Sequence, residues 1–374
     1  WNRSTWRPSM SKAAELAALI GSGQAQGDKN LIINGAMTVD QRHDGSSFTI
    51  VNGNSTTGVI ADRFRVNETS GVVMTGQRVA DAPVGFEYSS KLTVTTADSS
   101  LGSTEFHRMI QPIEGKNISN LNWGTSNAKT LTLTFYVKSS LTGQYYISVF
   151  NNAADRTLLK GYTISSANTW EKKTITIIGD QSGTWLTTNA VGIYLMWSLG
   201  TGSSYQSSTL NAYQAGFFMA KSDQVNLAAT NGSTWQLTGV QLEVGDGPGT
   251  AFEHEDIGTT LAKCQRYYNR MNADAAYSML GVGFTQTTRY AKAQVFFPVE
   301  MRSAPTLGQS ANNTLTVFSA AASPAFNADA AINNPATHST NLTLDVSSGL
   351  TAGQGMTIMA NNSTAAFFEY IAEL

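Results

Sequence analysis

From Asn30 to about Val244 the chain is a succession of short alternating segments separated by turn-forming clusters. Thr130-Leu-Thr-Leu-Thr-Phe-Tyr-Val-Lys138 alternates without a break, so Leu131, Leu133, Phe135 and Val137 share one face and Thr130, Thr132, Thr134 and Tyr136 the other. A period of two with one apolar face predicts a half-buried antiparallel strand. Similar patterns occupy 59–66, 72–79, 91–95, 145–150, 171–178, 191–198 and 235–244. Polar turns between them, and no helical crossover, predict an all-β, two-sheet sandwich of the jelly-roll type. Within the last segment the parity of apolar residues switches from Trp235 and Leu237 to Val240, Leu242 and Val244, and Gly239 at the switch predicts a bulge.

The period changes at 257–270, where Leu261, Cys264, Tyr267 and Tyr268 fall at helical spacing. After Met271 a second β-rich unit begins, with strands expected at 277–282, 289–297, 306–307, 314–318, 341–346, 355–359 and 367–371. The tract from Ser319 to Pro335 is rich in Ala, Asn, Asp and Pro and is expected to be a long loop, the kind of segment on which binding resides. Two adjacent apolar residues on one strand imply that both faces are covered, so Phe296-Phe297 and Phe367-Phe368 point to core or subunit contact. At the other end, Ser11 can cap a short helix whose stripe is Ala13, Leu16, Leu19 and Ile20, followed by a Gly/Gln-rich joint at 21–27. So short a helix needs partners. The expected organisation is a docking or oligomerising segment at 1–29, a jelly-roll domain at 30–256, a linker helix at 257–270 and a distal β-sandwich at 271–374.

Composition narrows the function. Charged residues are only 13% of the 374, the net charge is −2, and Ser, Thr and Asn together make up roughly 29%, against about 25% charged in an ordinary globular domain. No basic surface is expected to neutralise a phosphate backbone, so nucleic acid is not an expected partner. No apolar run reaches the roughly 18 residues that span a bilayer, and a chain that opens on Trp1 is expected to be part of a longer one. Cys264 is the single cysteine and is expected to be a small buried residue; His43, His107, His254 and His338 are scattered. His254-Glu255 lacks the second histidine of a zinc protease, Gly21–Gly27 lacks the strand and lysine of a phosphate loop, and no Gly-x-Ser-x-Gly elbow is present.

Three stretches, in order, resemble a family. Asn30-Leu-Ile-Ile-Asn-Gly-Ala-Met-Thr-Val-Asp-Gln-Arg42, with Ala61-Asp-Arg-Phe64 after it, is similar to the opening of a group of phage tail-fibre and minor structural proteins. Trp235-Gln-Leu-Thr-Gly-Val-Gln-Leu-Glu-Val-Gly245, Thr250-Ala-Phe-Glu-His254 and Leu261-Ala-Lys-Cys-Gln-Arg-Tyr-Tyr268 resemble the end of that module. Val295-Phe-Phe-Pro-Val-Glu-Met-Arg-Ser-Ala-Pro-Thr306 resembles the start of its tip domain. The resemblance covers about 30–306. It implies a virion appendage: a homotrimeric fibre attached to a tail or baseplate protein through its N-terminal segment. Its jelly roll would resemble carbohydrate-binding modules, and its tip would touch a host cell-surface receptor.

A sugar site uses aromatic faces with a hydrogen-bonding rim. Trp123, Trp185 and Tyr205 stand in turn-rich contexts and are the candidates in the first domain, whereas Trp170, Trp197 and Trp235 sit in strand patterns and are expected in the core. In the distal domain Tyr277, Arg289 and Tyr290 are the candidates for a receptor-facing tip, with packing between subunits the competing role. The acids Asp40 and Asp44, and Glu243, Asp246, Glu253, Glu255 and Asp256, are expected to be turn and cap residues. A Ca2+ site is their second reading and a glycosidase pair the third. No cofactor, no catalytic residue and no metal ligand is assigned. Besides attachment, a polysaccharide-degrading tail appendage and a passive structural fibre or head decoration protein remain open.

Overall fold

The computed structural model describes residues 29–51, 58–320 and 322–374. The expected N-terminal docking helix lies outside the described residues.

The fold is all-β, and its first unit is a jelly-roll sandwich. One sheet has six strands, in the order Phe48–Ile50, Val73–Val79, Ser89–Thr96, Thr234–Val244, Leu131–Ser139 and Glu171–Ile177. The other has seven: Tyr213–Ala215, Arg156–Ile164, Gly143–Phe150, Val191–Thr201, Phe106–Glu114, Phe64–Glu68 and Val59–Ala61. Phe64, Leu133, Phe135, Trp197 and Trp235 are fully buried between them. Trp170 is the exception to the expected core tryptophans: half-buried, it precedes its strand and donates to Asp81.

The alternating strand Leu131–Ser139 is covered on both faces rather than one. The chain after Val244 folds back over its threonine face, where Thr132 donates to Gly245 O at 2.9 Å, and Thr132 and Thr134 are buried. The segment 59–66 is two strands, because Arg63 adopts φ 75° in the turn between them. The bulge expected at Gly239 is present as a register shift between Thr238 and Gln241. Gly239 has φ 60°, and a Cβ there would lie 2.7 Å from Phe86 Cζ and 2.8 Å from Tyr136 Cδ2.

Helix α1 (Ile257–Gln265) is capped by the Asp256 side chain, which accepts from Gly258 N and Thr259 N. It is shorter than its apolar spacing predicts: Tyr268–Asn272 is a strand paired with Phe367–Ile371. Two adjacent tyrosines favour a strand that is covered on both sides, and the waiting edge of Phe367–Ile371 decides the outcome. Cys264 is buried inside the helix turn, where burial raises its thiol pKa far above the ordinary value.

The distal unit is a second sandwich. A sheet of Tyr268–Asn272, Phe367–Ile371 and Thr306–Gln309 packs on one of six strands, ordered Leu315–Ser319, Gly355–Ala360, Met279–Thr285, Tyr290–Phe296, Ser339–Val346 and Phe326–Asn333. Val317, Leu342, Leu344, Ile358, Phe368 and Tyr370 form the core. The strand Phe326–Asn333 falls in the tract expected as a loop. Its pairing to Ser339–Val346 is broken by two register shifts, so it carries no clean alternation. Phe368 is buried as expected, but Phe296 is 72% exposed, so this chain leaves one face of its strand uncovered.

The quoted motifs meet at the junction of the two sandwiches. Gln41 donates from its main chain and its side chain to Asp62, and also to Tyr268 O at 2.8 Å. The Arg42 guanidinium lies 3.5 Å above the Tyr268 ring and that of Arg63 lies 3.7 Å above Tyr267. Both arginines pair with Glu373, Arg42 at 3.2 Å. Arg266 grips Glu114 through two bonds of 2.9 and 2.7 Å, Tyr267 donates to the same carboxylate, and Arg302 donates to Ala372 O and Glu373 O. The resemblance in sequence is therefore carried largely by residues that clamp one unit to the other.

Candidate ligand-binding site

Burial separates the six candidates. Trp123 and Trp185 are each 7% exposed and stand edge to face at 4.7 Å, with Tyr213 against both. The Trp123 indole donates to Lys129 O and the Trp185 indole to Ser182 O. Their turns fold inward around the indoles, so neither ring offers a face to a ligand; these two assignments are corrected to core. Tyr290 and Arg289 stand together at the turn of the hairpin formed by Met279–Thr285 and Tyr290–Phe296, where Arg289 makes two bonds of 2.8 Å to Asp345. Tyr277 is exposed but lies beyond the opposite end of that hairpin, so the three do not converge.

Tyr205 is the candidate that has company. The segment 203–225 supplies the edge strand Tyr213–Ala215 and, on either side of it, folds against the outer face of the seven-stranded sheet, held by Ser148 Oγ to Phe218 O and Thr157 Oγ1 to Gly216 O, both at 2.7 Å. Tyr146 and Ser198 also bond it, through Asp223 and Gln224. Ile110, Phe150, Met196 and Met219 are buried beneath. At the margin of this cover the half-buried rings of Phe106, Tyr205 and Phe217 meet edge to face, with Tyr205 5.7 Å from Phe106 and 5.6 Å from Phe217. Phe217 continues onto Phe150, which stacks on Tyr194 at 4.7 Å.

Two guanidiniums complete the patch. Neighbouring strands bring them there: Arg65 opposes Ile110, and Arg108 opposes Ser198 two residues away on the same face. Arg108 lies 4.6 Å from the Phe106 ring and 5.6 Å from Phe217. Burial and the like charge of Arg65 push its pKa down to about 10. Burial lowers Arg65 as well, against the pull of Glu373. The arrangement is aromatic area rimmed by strong donors, which suits a ring bearing oxygen acceptors. Arg65, Phe106, Arg108, Tyr194 and Phe217 escape a reading of the sequence. Phe106-His-Arg-Met-Ile110 carries no clean alternation that could have marked them.

The acids have structural work. Asp40 accepts from His43 N and Gly45 N, Glu243 from Thr250, and Glu253 from Asn30 N; Glu255 pairs with Lys263. Among the described residues no three His, Cys, Asp or Glu side chains are grouped as a metal site.

No protein-family model matches the chain, and no curated protein does. Among solved structures it is similar to the enzymatically active domain of bacteriophage CBA120 tailspike protein 4, at 13% identity over 58% of this chain and 22% of that one, with a TM-score of 0.32. A family 4 carbohydrate-binding module matches at 15% identity over 57% of this chain and 98% of its own, with a TM-score of 0.27. A family 11 module from Clostridium thermocellum, solved with a β-1,3-1,4-mixed-linked tetrasaccharide, matches at 10% over 56% and 98%, with a TM-score of 0.27. At TM-scores of this size the likeness decides neither fold nor ligand.

Proposed function

We propose that the chain is an attachment module of a virion appendage, and that the outer face of its seven-stranded sheet binds a host cell-surface glycan. The observation that carries the glycan part is the cluster of Phe106, Tyr205 and Phe217 on that face, half-buried and rimmed by Arg65 and Arg108. Rigid rings supply apolar contact at little entropic cost, and guanidiniums supply directional donors. The virion setting is supported by the resemblance of the ordered motifs to phage tail-fibre proteins, whose junction residues act here as a clamp.

The second sandwich supplies the multivalency such a module needs. Met279, Val282, Phe284 and Phe296 stand exposed on one face of its six-stranded sheet, more apolar side chains in one place than a monomer usually leaves to water. Further copies of this chain covering that face would assemble the homotrimer. Weak sites on one shaft then act through effective concentration. The test is adsorption of the purified chain to host envelope polysaccharide, with its mass read by light scattering. Tyr205→Ala should abolish retention on the polysaccharide and leave the mass unchanged, whereas Phe296→Asp should lower the mass. Retention unchanged by Tyr205→Ala would sink the assignment of the site.

A further inference from the structure

Among the described arginines of the first sandwich, Arg65 and Arg108 are the two with no carboxylate side chain within ion-pair distance. Arg42 has Asp62 and Glu373, Arg63 has Glu373, Arg78 has Asp40, and Arg156 has Asp180. Arg108 has no acid within ion-pair distance among the described residues. Its Nε is buried without an acceptor, and one terminal nitrogen meets nothing better than Met196 Sδ at 3.7 Å. The like charge of Arg65 acts against it, and no carboxylate offsets that charge. Arg65 donates to Leu374 O at 3.3 Å, its own Nε has no acceptor, and the carboxylate nearest in influence, Glu373, is already held by Arg42 and Arg63.

We propose that this face takes an acidic saccharide, with the sugar's oxoanion seated at the Arg65 and Arg108 guanidiniums and its ring against Tyr205, Phe106 and Phe217. This rests on the glycan reading of the same face. An enclosed guanidinium with no counter-charge costs desolvation that the neighbouring Phe106 and Phe217 rings offset only in part. A neutral sugar would answer it with hydroxyl oxygens alone, whereas a carboxylate or phosphate offers two oxygens in the fork that a guanidinium fits. The like charges of Arg65 and Arg108, repulsive when the face is empty, both become favourable when one anion lies at them. The ligand's oxoanion would thus do for Arg65 and Arg108 what Glu373 does for Arg42 and Arg63 at the junction.

The experiment uses the full chain and two matched pairs of ligands. One pair is a hexuronate oligosaccharide and its carboxyl-reduced counterpart; the other is a phosphorylated oligosaccharide and its dephosphorylated form. Calorimetric titration should show the acidic member of at least one pair binding, its neutral partner about tenfold weaker or worse, and Arg108→Gln losing about ten- to hundredfold on the acidic member alone. Which pair responds tells a uronate from a phosphate. Arg108→Gln should leave the melting temperature unchanged or raise it, which separates loss of an anion contact from loss of fold. Tyr205→Ala should weaken acidic and neutral members alike. Equal binding of both members, lost in Tyr205→Ala and untouched by Arg108→Gln, would overturn the acidic preference and leave the glycan reading standing. Acidic binding indifferent to Arg108→Gln would overturn it too, and failure of all four ligands on the folded protein would overturn both readings.

Discussion

Replacing Glu373 by Gln keeps the shape of the junction and removes its charge. Glu373 is the carboxylate shared by Arg42 and Arg63, whose side chains are 8% and 2% exposed, while Glu373 itself is 15% exposed. Burial alone would raise its pKa, but the guanidiniums of Arg63, Arg42 and Arg65 hold it below the ordinary 4.5. In the variant Arg63 keeps only neutral acceptors, Pro112 O and the new amide oxygen, with no carboxylate, and Arg42 keeps Asp62 at 3.8 Å. Breaking a buried pair from one side costs about 3–5 kcal/mol, mostly because the surviving charge stays buried. At about 2–4 °C per kcal/mol the melting temperature should fall on the order of 10 °C. The pH profile supplies an independent check. A carboxylate whose folded pKa is depressed contributes stability that is full above its unfolded value and lost as pH falls through the folded one. The gap between wild type and Glu373→Gln should therefore stay constant above about pH 4.5 and close below it. Adding Arg63→Met to Glu373→Gln should cost less than the second change alone, since the stranded cation is gone. Chemical denaturation at pH 7 is the assay, and a gap under about 1 kcal/mol would refute the claim that this pair clamps the two sandwiches.

Glu68 is 5% exposed, and burial pushes its pKa up to about 7 from 4.5. The stability it contributes is present below pH 4.5 and lost as pH rises to 7, so Glu68→Gln should be neutral near pH 4 and stabilise by up to roughly 3 kcal/mol at pH 8, read from urea midpoints. His107 runs the other way, held down to about 4 by burial, and should withdraw stability as pH falls from 6.5 toward 4. Trp185→Ala should cost about 3–5 kcal/mol in thermal unfolding and leave glycan retention intact at a temperature where the variant is folded, since its ring packs on Trp123 and Tyr213. Gly239→Ala forces a Cβ to within 2.7 Å of Phe86 at φ 60° and should cost about 1–3 kcal/mol; an unchanged denaturation midpoint would mean that the bulge relaxes freely.

The strands that alternate without interruption, such as Leu131–Ser139 and Glu171–Ile177, are legible because apolar residues on one face alternate with polar ones on the other, even where, as over Thr132 and Thr134, the polar face is covered too. Phe106–Glu114 is not, for a reason that also explains why the site was missed. Its inward residues are Met109 and Ile113, but its outward residues, Phe106, Arg108 and Ile110, lie under and beside the covering segment 203–225, so both faces carry apolar atoms and the polar side of the alternation vanishes. Arg156–Ile164 lost its signal in the same way, with Leu158 and Leu159 buried on opposite faces. A turn-rich context singles out Tyr205, which is half-buried, together with Trp123 and Trp185, which lie in the core, because small polar residues make a turn without telling which way it folds, and an indole whose N–H finds a main-chain oxygen gains by folding inward. Arg108 is readable only once register is known. It becomes a neighbour of Arg65 and Tyr194 because three strands distant in sequence pair at Ile110, with Arg65 on one side and Met196 on the other. The proposed ligand face is thus set by strand pairing, and the ordered motifs of the sequence serve the clamp instead.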